Sequence, residues 1–188
     1  KANQQRLLTD EFPVYGTISI EYQFVKPFLS PEAKTYFEMR KKEARMNFSF
    51  PEGDAQGERL YRESIAAYVR AAKESRPGQR IYELCLECDL VSPDAETTVR
   101  CFKAAYAALH EVDPDGLLFA AGVSNVRGPA LDYMRRLFDL GIAPYMDGFN
   151  IHPYTAYPPD RHGFVENVRA FIRLVRERKG PDTMMIST

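Results

Sequence analysis

Strand-like and helix-like periodicities alternate along this sequence without a break from residue 14 to residue 188, and that alternation limits the available folds more than any other feature. VYGTISIEYQF (14–24) is rich in β-branched and aromatic residues and reads as a strand. A loop punctuated by Pro27, Pro31 and Pro51 follows. In GERLYRESIAAYVRAAKES (57–75), Leu60, Ile65, Tyr68, Val69 and Ala72 recur at helical spacing. IYELCLECDL (81–90) is the next strand, and DAETTVRCFKAAYAALHEV (94–112) a helix that Ser92 or Asp94 can cap and DPDG ends. LLFAAGVS (117–124) has the continuous apolar character of a strand buried on both faces. Helix, strand, helix and strand then follow at 128–142, 146–154, 163–180 and 183–188.

Alternation of this kind implies a parallel sheet joined by right-handed crossovers, with helices packed outside it. No strand is followed by the glycine-rich fingerprint of a dinucleotide fold or by a P-loop, so nothing points to a nucleotide. Two architectures remain: an open doubly wound sheet, or part of an eightfold barrel. Polar side chains at the C-terminal ends of the strands favour the α/β (β/α)8 TIM barrel, which keeps its chemistry there. They are Glu21 and Gln23, Glu87 and Asp89, Ser124 and Asn125, and Asn150, His152 and Tyr154. A complete barrel takes about 250 residues. The expectation is therefore that residues 1–188 are part of one barrel domain, roughly its strands three to seven, with strands missing at both ends.

Charge narrows the partners. The 25 basic and 26 acidic residues nearly cancel and form no basic block, which gives a nucleic acid or an anionic membrane surface no electrostatic hold. No apolar run approaches a membrane span. The three cysteines are an odd count, with Cys85 and Cys88 on one apparent strand, which argues against a disulfide framework. On a regular strand these two point to opposite faces, so they do not converge on one metal ion, and a structural zinc wants four ligands. They read as small hydrophobes, and no metal or organic cofactor is expected. An enzyme that uses Cys85 and Cys88 in some other barrel chemistry is the minor alternative.

Several motifs, in order, resemble a known family. YELCLECDL, FKAAYAALHEVDPDGLLFAAG, MDGFNIHPYT and MMIST are together similar to the retaining glycoside hydrolases of clan A, in the β-xylosidase and iduronidase-like branch. In that clan the fourth strand reads Tyr-Glu-(Ile/Leu)-Trp-Asn-Glu-Pro-(Asn/Asp), matched here by Tyr82, Glu83, Leu84, Glu87 and Asp89. The resemblance implies a carbohydrate substrate, Glu87 as general acid/base, and a nucleophilic Glu just after Thr188. It also implies a binding role for His152 and Tyr154, which match a His-x-Tyr of the sixth strand. Cys85, Leu86 and Cys88 stand where the family has Trp, Asn and Pro. The family Asn bonds the sugar 2-hydroxyl, which Leu86 cannot do. Losing about 2–4 kcal/mol of transition-state binding slows a reaction roughly 30- to 1000-fold. A carbohydrate-binding barrel with impaired catalysis is therefore the alternative function.

The residues also carry their own reading. A carboxyl such as Glu87 among apolar neighbours needs a partner or a purpose, and an apolar setting raises its pKa as a general acid requires. Glu83, four residues earlier, is expected to lie deeper and to make structural hydrogen bonds. Pro153 ends its strand, leaving His152 and Tyr154 able to reach a mouth, with Asn150 beside them. Glu21, Gln23 and Asn125 join the substrate-binding set by strand-end position alone. Tyr157 offers a stacking wall for a sugar ring, whereas His110 and His162 are expected to face solvent.

Overall fold

The computed structural model describes residues 18–40, 48–84, 87–91, 94–120, 123, 124, 126, 128–152 and 163–187. The two longest helices start where an aspartate takes up an amide left unpaired in the first turn, which is how a short acceptor side chain fixes a helix start. Asp54 accepts from the Gly57 amide at 2.8 Å to open α3, after β1 (Ile18–Ile20), α1 (Tyr22–Val25) and α2 (Pro31–Arg40); α3 runs Ala55–Ser75. Asp94 accepts from the Thr97 amide at 2.5 Å. That contact opens α5 (Ala95–Val112), which follows β2 (Ile81–Leu84) and α4 (Cys88–Val91). Of the two expected caps, Asp94 is the one that acts; Ser92 lies outside the described residues. The order continues with β3 (Leu117–Ala120), α6 (Gly128–Asp139), β4 (Gly148–Ile151), α7 (Phe164–Lys179) and β5 (Met184–Ser187).

Two expectations need correcting. The Pro-punctuated loop contains a helix, α2, because Pro31 stands at its first position and Ser30 Oγ accepts the Ala33 amide at 3.1 Å. This helix buries Phe37 edge-on against Phe48, which in turn packs on Tyr61 of α3. The strands are also shorter than the sequence runs. Among the described residues, the run read as a strand over 14–24 is in α1 by Tyr22, and the run read as a strand over 81–90 is in α4 by Cys88, leaving Ile18–Ile20 and Ile81–Leu84 as the assigned strands.

All five strands are parallel and stand in chain order, β1-β2-β3-β4-β5. Among the described strands there is no reversal of order, hence no switch point of the kind a doubly wound sheet uses. Side chains alternate between faces along each strand. Ile18, Ile20, Tyr82, Leu84, Leu118, Ala120, Phe149 and Ile151 belong to one core with the inward faces of α3, α5, α6 and α7. Burying a side chain of this size contributes about 1.5–3 kcal/mol. The register places Ser19, Glu83, Phe119, Gly148 and Met184 in one row of opposite parity. Asn150 lies one inward step further along β4.

Gly148 is required by its neighbour. A Cβ there would overlap the ring of Phe119, which is fully buried against it. None of the described helices is long and apolar enough to cross a membrane.

Candidate active site

At and beyond the row that holds Phe119, the polar face converges. Glu83 rises from β2 and is 3% exposed; Asn150 and His152, on and just after β4, are 0% and 3% exposed. The Asn150 amide donates to Glu83 Oε1. His152 Nε2 stands 3.3 Å from Asn150 Nδ2 and 3.6 Å from Glu83 Oε1. On a flat sheet β2 and β4 would stand about 9.6 Å apart, two strand spacings. These side chains meet across β3, the reach expected of a sheet that curls towards this face.

Glu87 completes the group from the turn after β2. Its backbone has φ +53, the left-handed region that a non-glycine residue enters at a cost of about 1–2 kcal/mol. Its carbonyl accepts from Leu90 as α4 begins, so the strained turn and the short helix form together. The carboxylate lies with Oε1 3.7 Å from His152 Nδ1, and the side chain is 30% exposed, against 3% for Glu83. One imidazole thus stands between a buried carboxyl and a mouth carboxyl. Both distances are those of ion pairs and exceed a direct hydrogen bond.

Burial pushes the Glu83 carboxyl above the ordinary glutamate range. The Asn150 amide and the His152 ring pull the other way without cancelling the rise, and Glu21 adds to it. The consequence for stability has a definite sign. The folded state binds more protons than the unfolded one between the ordinary value of 4.5 and the raised one. Glu83 therefore favours folding most below that ordinary value, and its contribution falls as pH rises through the folded value. Glu83→Gln is expected to flatten that decline, as read by urea unfolding across about pH 4–8.

The loops around the group are tied together. Asp89 on α4 accepts from both the amide and the hydroxyl of Ser124 at 2.7 Å, joining the end of β2 to the end of β3. Glu21 follows β1 and accepts from Gln23 at 2.8 Å. Gln23 is exposed on α1 rather than on a strand, so of these two it is Glu21 that the core carboxyl feels.

The structure brings together Glu87, His152 and Asn150 from the residues the sequence suggested, and adds Glu83 as a partner of Asn150 and His152. Asn125, Tyr154, Tyr157, His162, Cys85 and Leu86 lie outside the described residues. Cys88 opens α4 instead of continuing a strand, so opposite strand faces no longer describe the cysteine pair. Its side chain is buried in the apolar core, as is Cys101. Among the described residues no group of three or more His, Cys, Asp or Glu is arranged to hold a metal ion. His110 does not simply face solvent. Its Nδ1 lies 2.9 Å from the Tyr106 carbonyl and its Nε2 3.8 Å from Asp147.

No family model matches the chain, and no curated protein matches it. Among solved structures the chain is similar to a family 39 glycoside hydrolase from the gut symbiont Bacteroides cellulosilyticus WH2, with a TM-score of 0.47 and 19% identity. The match covers 74% of this chain and 32% of that one, so this chain spans about a third of that protein's length. A likeness of that size is weak and carries no argument about the reaction.

Proposed function

We propose that the chain is the site-bearing part of a (β/α)8-barrel glycosidase that acts with retention of configuration. The observation that supports this most is the placing of Glu87. It is a partly exposed carboxyl on a strained turn that follows an interior parallel strand, facing a histidine held by buried polar groups. Chain-order strands and a polar face that closes across β3 are what an arc of a barrel would have.

On this reading Glu87 gives its proton to the glycosidic oxygen as the bond to the anomeric carbon breaks. A glutamate carboxylate just beyond Thr188, at the end of β5, forms the bond to that carbon from the opposite face. Glu87, now a carboxylate, takes a proton from water as the water oxygen displaces the nucleophile. The two carboxyls would stand about 5–5.5 Å apart. Asn150, His152, Glu21, Gln23, Asn125 and Tyr154 would serve the sugar or the carboxyls that act on it.

The full-length protein offered a panel of aryl glycosides is expected to release a sugar whose first-formed anomer, read by proton NMR, matches that of the substrate. The opposite anomer would overturn the retaining mechanism. Sugar binding without turnover by any member would support a carbohydrate-binding protein, a reading favoured by Cys85 and Leu86 at the motif's Trp and Asn positions.

A further inference from the structure

We propose that His152 is a positioning residue for Glu87, and that the buried Glu83 acts on Glu87 through the His152 ring and so sets the pH range over which Glu87 holds its proton. This rests on the reading of Glu87 as the proton donor. Each ring nitrogen is turned to a different carboxyl, Nδ1 to Glu87 at 3.7 Å and Nε2 to Glu83 at 3.6 Å. The Asn150 amide, which donates to Glu83, also lies 3.3 Å from Nε2. When the ring is neutral, an amide proton directed at Nε2 leaves the ring's own proton on Nδ1, the nitrogen that faces Glu87.

The charges around the ring are one-sided. Glu83 comes from β2 and Glu87 from the turn after it; Glu21, from the end of β1, acts on Glu83, while Asp89 is committed to Ser124. β5 contributes Met184, Met185 and Ile186, none of which titrates. Among the described residues no lysine or arginine is paired with Glu21, Glu83 or Glu87, and the His152 ring is the basic group that stands beside both Glu83 and Glu87. A second proton on the ring is favoured by both flanking carboxylates. Removing the charge of Glu83 withdraws the buried part of that support, and Glu87 then faces a neutral ring more of the time. Direct repulsion between the two carboxylates would have the opposite effect, so the sign of the change distinguishes the two routes.

The test is the pH dependence of carbodiimide-driven amine labelling of Glu87 in the full-length protein, followed by peptide mapping, because carbodiimide activates the protonated carboxyl. In Glu83→Gln the half-maximal pH of labelling is expected to rise by about one unit. In His152→Gln the further change Glu83→Gln should produce no rise. An unmoved or lowered midpoint in Glu83→Gln overturns the proposal, as does a rise that persists without the ring. Glu83→Asp, which keeps the charge, should leave the midpoint near wild type and serves as the control for misfolding. Labelling does not depend on turnover, so the two ideas fail separately. A rise in a protein that cleaves no glycoside leaves the coupling standing and removes the acid role. Turnover with unmoved curves does the reverse.

Discussion

With Glu87 as the proposed general acid/base, Glu87→Gln is expected to lower kcat/KM for alkyl glycosides about 10²–10⁴-fold, the range that general acid–base catalysis contributes. The amide keeps the shape of the side chain but neither donates a proton to the leaving oxygen nor removes one from water. The loss should depend on the leaving group. An aryl glycoside whose phenol is a good acid departs without protonation, so its first step is nearly spared while the second still waits for a base. Such a substrate should show a burst of phenol followed by slow turnover. Azide should then speed Glu87→Ala, because it attacks the glycosyl-enzyme without needing deprotonation and leaves a glycosyl azide as product. Equal activity of the variant and the parent on all substrates would remove Glu87 from the reaction.

The second large effect is structural. Gly148→Ala is expected to destabilise the fold by about 3 kcal/mol, the upper part of the usual range for overpacking, since the added methyl meets a ring with no free side to move to. For a domain of this size that is a fall in Tm of roughly 6–12 °C. Phe119→Leu shrinks the obstacle, so the double variant should recover part of the loss, and the two changes should be strongly non-additive. Differential scanning calorimetry of the four proteins gives the result directly. Additive losses would mean that the ring and the glycine do not share the space. Asn150 is one inward step from Gly148, so the same variant should also disturb the Glu83–Asn150 contact.

Legibility differed by element for physical reasons. The long helices α3 and α5 were readable from their apolar stripes, and α5 also from the aspartate that caps it; the cap of α3, Asp54, came only with the structure. Helix α2 was not, because proline in a sequence suggests a break, whereas Pro31 sits where the first turn has no amide to lose. Its apolar stripe is also thin, burying only Ala33 and Phe37. Strand ends were misjudged for a different reason. Whether the chain continues extended past Leu84 or turns at Glu87 depends on what packs above β2, and local β propensity carries no trace of that. In the site, Glu87, Asn150 and His152 could be nominated from strand-end position and resemblance. The central place of Glu83 could not, since its partner Asn150 is 67 residues away and the contact exists only when the sheet brings β2 and β4 together across β3.

The backbone at Glu87 has a wider consequence. A left-handed turn between a strand and a helix is a place where glycine would be the more stable choice by about 1 kcal/mol, since it has no side chain to crowd the preceding carbonyl. A protein selected only for resistance to heat would drift towards glycine there and lose its mouth carboxyl in doing so. On the proposed role of Glu87, position 87 is thus a point where thermostability and activity pull in opposite directions, and libraries screened for melting temperature alone would be drawn towards inactive variants at this residue.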